Sequence, residues 1–254
     1  MSRFTALLLA GSRPGGDPFT EAHRVKTKAL IPVAGEPMIA RPVRALLGSP
    51  QIERVRVLTQ DGALLEPALP RDARLSIERS GATIAATIEA IIADPATGWP
   101  LLVTTADHAL LDGAMIDEFC ARADGADVAI GLVERQVLIA RLPQTKRTWI
   151  GFRGGAYSGA NLFALGSPNA ARAVRLWREV EQDRKKGWKL LLALGLPGLL
   201  GLARLRTLDQ TLSAMGRRLG LSLRAIELAN PLAAVDVDKP ADLALVEAII
   251  EGRA

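Results

Sequence analysis

Strand-length apolar runs and helix-length amphipathic stretches alternate through the first half of the chain. After an apolar run that ends at Leu9, the predicted strands are residues 54–59, 73–78, 100–105 and 127–132. The predicted helices between them are residues 37–47, 84–93 and 112–123. This alternation predicts an α/β fold with a doubly wound, mostly parallel, Rossmann-like sheet and right-handed crossovers.

The pattern changes after residue 132. Two further predicted strands, 137–142 and 157–165, flank a basic, glycine-rich segment and indicate a small antiparallel excursion beside the parallel core. The remaining predicted elements are helices 170–184 and 207–219, a strand at 222–227, a strand end at 235–238 and a terminal helix at 241–250. Because we find no internal repeat or low-complexity linker, we expect one domain over residues 1–254, with a helical, basic and apolar insert at about 167–220.

The composition agrees with this fold and excludes several kinds of site. With 254 residues, 49% of them hydrophobic, the chain is long enough to bury a substantial core. Its single cysteine, Cys120, excludes an intramolecular disulfide framework and a cysteine-rich metal site, and we expect it in the core. No apolar run reaches the roughly 18 residues that span a bilayer, and no signal-peptide pattern is present. The cytoplasm is therefore the expected location.

The positive charge is concentrated in one region. The net charge is +5, yet residues 171–224 carry 12 Lys and Arg against 4 Asp and Glu, so this region alone carries +8 and the remainder −3. These basic side chains flank a leucine-rich run and match no nucleic-acid-binding motif. We therefore expect no nucleic-acid partner.

The first predicted strand leads into a glycine-rich loop and a basic segment. Glycines let backbone N–H groups approach an anion closely, but the loop lacks the G-x-G-x-x-G spacing of a dinucleotide-binding turn. This stretch also brings the cations Arg13, Arg24, Lys26 and Lys28 to the same neighbourhood. We interpret this stretch as a cradle for a nucleoside triphosphate, formed by Leu9, Ala10, Gly11, Ser12, Gly15 and Gly16.

Four motifs then occur in a characteristic order. They are Leu9-Ala10-Gly11, Lys28-x4-Val-x-Gly35-x-Pro37-Met, Asp107 after an apolar run, and Asp236-Val-Asp238-Lys-Pro-x-Asp-Leu243. With these motifs the chain resembles the nucleotidyltransferases of the glycosyltransferase-A-like fold, which include the molybdenum-cofactor (MobA-like), sugar-phosphate and alditol-phosphate enzymes. The resemblance covers about residues 7–165 and 222–250.

The resemblance implies a role for the opening stretch. In that family the glycine-rich loop wraps the triphosphate, and the lysine that matches Lys28 neutralises phosphate charge at the reacting centre. Fixed cations are needed there because an anionic acceptor attacks the α-phosphorus while pyrophosphate leaves. Arg13 is the expected phosphate-contacting arginine and Arg24 the alternative, since the loop is longer here than in the family. The alternative for Lys28 is a solvated lysine between two elements.

A metal site is also implied. Asp107 lies where an apolar strand leaves the sheet, and a carboxylate at such an edge is well placed to bind a hard cation. By resemblance, Asp107 and Asp238 match the family's Mg²⁺-binding pair, with Asp236 nearby on the same strand end. Ala109 stands where the family usually has proline. The alternatives are a helix N-cap or turn for Asp107 and a turn residue for Asp236.

The base and the acceptor have candidate residues of their own. Ser80, Gly81 and Thr83 lie in the loop that holds the base in the family. We also expect Ala106 to contact the nucleotide. The alternative for Thr83 is that it serves only as a helix N-cap. A loose likeness to cytidylyltransferase loops favours CTP or UTP over GTP. The residues assigned to a phosphorylated acceptor are Lys146, Arg147, Arg153, Tyr157, Gly159 and Asn161, and the alternative for them is a basic, solvated hairpin.

Residues 185–206 are not part of the family pattern. Here basic residues and Trp188 flank fourteen uncharged residues, and we expect Gly195, Pro197, Gly198 and Gly201 to break any long helix into short pieces. One interpretation is a peripheral contact with an anionic membrane or a lipid-like acceptor. The other is a helical subdomain that packs on the core or on a second subunit in a homodimer.

These observations favour a Mg²⁺-dependent nucleotidyltransferase that joins an NMP to a phosphorylated small-molecule or lipid-related acceptor. A glycosyltransferase of the same fold is the alternative, although Asp107 is followed by His108 and Ala109 and not by the Asp-x-Asp pattern of that class. A non-catalytic regulatory or membrane-associated module is the third hypothesis. The presence of Lys28, Asp107 and Asp238 argues against it.

Overall fold

The computed structural model describes residues 3–11, 17–182 and 187–253, and in this part of the chain strands and helices alternate. The strands are β1 (Phe4–Leu9), β2 (Pro32–Val33), β3 (Glu36–Pro37), β4 (Ile52–Thr59), β5 (Leu75–Arg79), β6 (Leu101–Thr105), β7 (Val128–Glu134), β8 (Ile150–Phe152), β9 (Gly155–Leu165) and β10 (Leu223–Glu227). The helices are α1 (Pro18–Ala22), α2 (Ala40–Gly48), α3 (Gly62–Leu65), α4 (Ile84–Ala93), α5 (Gly113–Ala123), α6 (Arg135–Arg141), α7 (Ala171–Gln182), α8 (Gly187–Leu202), α9 (Leu208–Leu219) and α10 (Pro240–Ile250).

The main sheet has the strand order β10-β7-β9-β6-β1-β4-β5, and β8 pairs with β9 outside this path. All neighbours are parallel except those of β9, which runs antiparallel to β6, β7 and β8. The predicted mostly parallel, doubly wound sheet with a small antiparallel excursion is therefore confirmed. The long strand β9 lies inside the sheet between β6 and β7, and not beside the parallel core.

The chain changes direction across the sheet between β1 and β6. From β1 it builds outward through β4 to β5, and then returns to place β6 on the other side of β1. The loops after β1 and β6 therefore diverge, and open α/β sheets bind ligands at such a switch point. The backbone N–H of Ala106 donates to the carbonyl of Leu9 at 2.9 Å, so the two strand ends stay together.

Apolar clusters cover both faces of the sheet. The larger cluster contains residues of α2, α5 and α10, and the second contains residues of α4 and α7. Two of these helices, α4 and α5, begin at a polar side chain that accepts a backbone N–H: Thr83 from Ala86 at 3.2 Å and Asp112 from Met115 at 2.8 Å. Cys120 is 1% exposed in the larger cluster, so the prediction of a core position is confirmed.

Two predicted elements are wrong. Residues 137–142 were expected to form a strand, but they belong mainly to helix α6, where the Glu134 carboxylate accepts the first free N–H groups. Leu138 and Leu142 are both buried, which is the four-residue spacing of a helix face. The predicted strand end at 235–238 follows a 3₁₀ turn, Pro231–Ala234, and joins no sheet.

The basic, apolar region after β9 consists of helices α7, α8 and α9. Helix α8 is kinked at Gly195, where φ is 60° and ψ is −175°, and it contains Pro197. The expected interruption by glycine and proline is thus confirmed. Across the described residues, no helix has the length and apolar character needed to cross a membrane.

Candidate active site

Lys28 is fixed at the start of a short 3₁₀ turn, Lys28–Leu30, which lies just before the β2–β3 hairpin. Ala34 and Gly35 both have positive φ values, 49° and 85°, as a tight two-residue hairpin turn requires. The Ala34 N–H donates to the Glu247 carboxylate at 3.0 Å, so helix α10 holds the hairpin. The lysine therefore extends from a supported backbone.

The Lys28 ammonium lies between two carboxylates from distant parts of the chain. Its Nζ is 2.7 Å from Asp107 Oδ2 and 2.6 Å from Asp238 Oδ1. Burial alone lowers the pKa of Lys28, but Asp107 and Asp238 outweigh it and raise the pKa above its ordinary value. The lysine is therefore a permanent cation at neutral pH.

The two carboxylates are linked through the backbone. Asp107 follows β6, and its Oδ1 accepts the hydroxyl of Thr105 at 2.5 Å. The Val237 N–H donates to the Asp107 carbonyl at 3.0 Å, which joins residues 236–238 to the end of β6. The Asp238 N–H donates to the Asp242 carboxylate at 3.1 Å, at the start of α10. Together these bonds bring Asp107 and Asp238 to one point at the carboxyl edge of the sheet.

Asp236 has different partners from its neighbour Asp238. Its carboxylate accepts from the Arg147 guanidinium and from Asn161 Nδ2, the latter at 3.0 Å, and its carbonyl accepts from Arg147 Nη2 at 3.1 Å. Burial raises the pKa of the Asp236 carboxyl; Arg147 opposes this rise, while Asp238 and Asp107 add to it. The structure thus brings together one predicted metal ligand and two predicted acceptor residues.

We expect Arg147→Ala to lower the free energy of unfolding by about 3 kcal/mol, because it leaves the Asp236 carboxylate largely buried without its cation. The Arg147 side chain is only 10% exposed and that of Asp236 23%. Urea denaturation measures the change. Adding Asp236→Asn should recover at least half of the lost free energy of unfolding. If the double variant lost as much as Arg147→Ala alone, the charge of Asp236 would not be the cause of the destabilisation.

A bulge in β9 turns Asn161 toward Asp236. The β7–β9 register shifts between Ile130 and Leu132, and Asn161 has a φ of 48° within this irregular part of the strand. Bulges of this kind redirect a side chain relative to the regular alternation. Tyr157, predicted for the same acceptor site, instead packs in the small cluster with Leu208 and Leu212. Burial, followed by the nearby Glu227 and Glu134, raises the pKa of Tyr157.

The site carries an excess of negative charge. Four carboxylates face two basic groups, a formal charge of −2 for the set Asp107, Asp236, Asp238, Asp242, Lys28 and Arg147. A triphosphate would be repelled by this set unless further cations accompanied it. Asp107 and Asp238 already place two oxygens around one cation, and a hard divalent cation accepts the same donors together with phosphate and water. Within the described chain, no group of three His, Cys, Asp or Glu side chains forms a ready-made metal cluster.

His108 is a buried neighbour that the sequence patterns did not bring forward. It is 1% exposed, and neither ring nitrogen has a hydrogen-bond partner among the described residues. Burial lowers its pKa to about 4, against the opposing field of Asp107, and Arg147 adds to the lowering. The imidazole is therefore neutral at pH 7 and adds no charge to the site.

The residues assigned to the nucleotide lie at two strand ends. Leu9 ends β1 beside Ala106, and Ala10 and Gly11 follow it, while Ser12, Arg13, Gly15 and Gly16 lie outside the described residues. Ser80 and Gly81 follow β5, where the Ser80 hydroxyl is buried and the Gly81 N–H donates to Thr87 Oγ1 at 2.9 Å. Thr83 caps α4, in agreement with its alternative interpretation. Arg24, the alternative to Arg13, is exposed and has a φ of 54°.

The other acceptor candidates are dispersed. Lys146 and Gly159 are exposed. Arg153 donates to Gln210 Oε1 at 3.0 Å and therefore contacts α9.

Thr105 and Asp242 were not predicted as site residues, although their hydrogen bonds support Asp107 and Asp238. The Asp238-Lys-Pro-x-Asp242 spacing was a usable signal, because an acidic residue in the first turn of a helix accepts free N–H groups.

Comparisons with known proteins agree with this fold. A search of curated proteins found no match. A hypothetical transferase from Thermus thermophilus is 27% identical, covers 95% of this chain and 99% of its own, and has a TM-score of 0.77. A 4-diphosphocytidyl-2C-methyl-D-erythritol synthase from Anaerococcus prevotii is 8% identical over 98% and 96% of the two chains, with a TM-score of 0.59. A CMP:2-keto-3-deoxy-manno-octonic acid synthetase complexed with CTP is 14% identical over 100% of both, with a TM-score of 0.61.

The family assignment comes from the sequence itself. The model of the MobA-like NTP transferase domain matches residues 6–196, which is most of the chain and includes Lys28 and Asp107. The two less similar structures show the same fold. The chain therefore belongs to the MobA-like NTP transferase domain family and is a nucleotidyltransferase.

Proposed function

We propose that this enzyme transfers a nucleoside monophosphate from CTP or UTP to a phosphorylated acceptor and releases pyrophosphate, with Mg²⁺ as cofactor. The observation that carries the proposal is the convergence of Asp107 and Asp238 on Lys28 Nζ, at 2.7 and 2.6 Å, at the switch point of the sheet. Family membership supplies the reaction class, and this geometry supplies a charged centre for it.

Each residue of this centre has a chemical task in the proposed reaction. An acceptor phosphate oxygen forms a bond to the α-phosphorus as the bond to the β-phosphate oxygen breaks. Lys28 lies where its ammonium can stabilise negative charge on the phosphoryl oxygens, and the hairpin and α10 fix it there before substrate arrives. The glycine-rich loop after Leu9 would hold the triphosphate against this cation.

Asp107 and Asp238 are the proposed holders of Mg²⁺. Their oxygens already surround a single cation, and Mg²⁺ commonly takes one or two carboxylates plus substrate phosphates and water. When bound, the metal would supply Lewis-acid charge at the phosphates. Asp236 is engaged by Arg147 and Asn161, so we assign it to positioning residues 236–238 and not to the metal.

The nucleotide preference is supported by structural neighbours. One neighbour is named as a diphosphocytidyl synthase, and another is described in complex with CTP. Because their identities to this chain are 8% and 14%, they support a preference for a pyrimidine and do not define it. The acceptor is proposed to meet the Arg147–Asn161 side of the site, since β9 lies next to β6 there.

Release of pyrophosphate tests the proposal. Purified enzyme should be incubated with Mg²⁺, each of the four NTPs, and a panel of sugar, polyol and lipid-linked phosphates. We expect pyrophosphate with a pyrimidine nucleotide and at least one acceptor, and none without the acceptor. Release of a nucleoside diphosphate from a nucleotide sugar would instead indicate a glycosyltransferase. The proposal fails if no pair releases pyrophosphate and no NTP binds in a Mg²⁺-dependent way.

A further inference from the structure

Helix α8 turns its glycines toward the protein and several of its leucines toward solvent, the reverse of the usual arrangement. After the kink, Gly195, Gly198 and Gly201 are buried, whereas the leucines that follow each of them are exposed: Leu196 by 66%, Leu199 by 37% and Leu202 by 45%. A surface helix normally turns its leucines toward the core. Here three leucines at three-residue spacing form an outward apolar ridge.

The glycine side of α8 is pressed against the rest of the protein. A Cβ added at Gly201 would lie 2.5 Å from Thr211 Oγ1 and 3.0 Å from Phe152, and one added at Gly195 would overlap the Arg218 guanidinium. A larger residue at Gly201 therefore requires α9 or β8 to move, whereas a larger residue at Gly195 requires the flexible Arg218 side chain to move. The close packing fixes which side of the helix faces outward, so the exposed ridge is a property of the fold.

Basic residues border the ridge. Arg204 and Leu205 follow α8, and both are exposed, Leu205 by 61%. The Arg204 guanidinium lies against Gly151 of β8, which holds it beside the end of α8. Arg153 is exposed next to these residues, because its backbone N–H donates to the Arg206 carbonyl at 2.9 Å. The sequence has no Asp or Glu in residues 187–206, so α8 and the residues that follow it combine apolar and positive character.

We infer that this surface, comprising Leu196, Leu199, Leu202, Leu205 and the arginines beside them, docks the enzyme on an anionic lipid bilayer. Exposed leucines bordered by arginine match the apolar and negative layers of such a surface. A second copy of the chain is a poorer occupant, because a two-fold contact through this ridge would bring arginine borders together.

Docking would bring the lipid surface to the edge of the sheet that carries the candidate active site. Strand β8 pairs with β9, and the first residues of β9 lie opposite the last residues of β7, at the same edge as the candidate active site. The lipid surface would therefore lie on the acceptor side of the enzyme. The inference depends on α8 and β8 and stands whether or not the proposed nucleotide chemistry is correct.

Vesicle flotation with the full-length protein tests this inference. We expect binding to phosphatidylcholine vesicles that contain about 30% phosphatidylglycerol, at least about 10-fold weaker binding to pure phosphatidylcholine, and a decrease between about 0.05 M and about 0.5 M salt. The triple variant Leu196→Gln, Leu199→Gln, Leu202→Gln should bind about 10-fold or more weakly, because these side chains would enter the lipid interface. Its circular dichroism spectrum should match that of the unchanged protein, since the leucines point outward.

The matched control removes exposed apolar side chains elsewhere. Ile84 and Val137 are 39% and 42% exposed away from α8, and Ile84→Gln with Val137→Gln should leave vesicle binding unchanged. Absence of binding to anionic vesicles at low salt would overturn the inference, as would equal binding by the triple variant. A wild-type dimer that ignores vesicles and dissociates in the triple variant would also overturn it, by assigning the ridge to a second copy.

Discussion

Lys28→Ala is expected to lower turnover by about two to three orders of magnitude, the usual loss when one fixed donor to a transition-state oxyanion is removed. The ammonium is a permanent cation held between Asp107 and Asp238. Single-turnover kinetics with saturating nucleotide measure the effect. Binding of the nucleotide itself should weaken much less, because other groups share that task.

The same variant should bind a divalent cation more tightly when no nucleotide is present. In the wild-type protein the Lys28 ammonium occupies the point on which the two carboxylates converge, and removing it takes away a cation that competes with a metal ion for both of them. Mn²⁺ titration followed by electron paramagnetic resonance measures this affinity. Turnover and metal affinity would thus change in opposite directions, which partial unfolding does not produce.

Arg71→Ala is the matched control for loss of a positive charge. Arg71 is exposed and precedes the amino end of β5, at the edge of the sheet opposite to the candidate site. Its removal should leave turnover and Mn²⁺ affinity within about twofold of wild type, since surface charges at that range are screened. Normal turnover in Lys28→Ala would show that the lysine is structural.

Local patterns were sufficient to predict most of the sheet. Helix 84–93 was predicted with the bounds that the structure shows, and β4, β5, β6 and β10 lie within two residues of their predicted bounds. The strand predicted at residues 137–142 was wrong. Val137, Leu138 and Ile139 are consecutive apolar residues, two of them β-branched, and such a run is typical of a strand. The segment forms a helix because the Glu134 carboxylate caps its first turn and because Leu138 and Leu142 are buried on one helix face. Tertiary packing therefore overrode local propensity.

The partners of charged residues were harder to predict. The order of the four motifs was enough to expect Lys28, Asp107 and Asp238 in one site, and the structure brings those three together. The Asp236–Arg147 pair depends on β9 entering the sheet between β6 and β7 and on the bulge that turns Asn161. Neither feature has a local signature, because strand order and register arise from contacts between residues far apart in sequence. For this reason Asp236 was grouped with the metal ligands and Arg147 with the acceptor.

Asp107→Asn should abolish nearly all activity, with turnover lower by about 10³-fold, and unlike Lys28→Ala it should also weaken Mn²⁺ binding by about 10-fold or more. The amide keeps the size of the side chain and can still contact Thr105, so the fold at the end of β6 is retained. What it loses is the negative charge that Lys28 and a metal would share. Excess Mg²⁺ should therefore restore little of the activity.

Asp124→Asn provides the comparison for a lost carboxylate. Asp124 is exposed at the end of α5, just before the amino end of β7, and thus at the opposite edge of the sheet. We expect wild-type turnover and Mn²⁺ affinity from it. If Asp107→Asn kept its Mn²⁺ affinity while losing turnover, Asp107 would act only by orienting Lys28, and the metal would have to be held by groups other than this carboxylate. If both were kept, the convergence of Asp107 and Asp238 on Lys28 would be a structural ion-pair network, because a residue of either proposed role cannot lose its charge without changing one of the two measurements.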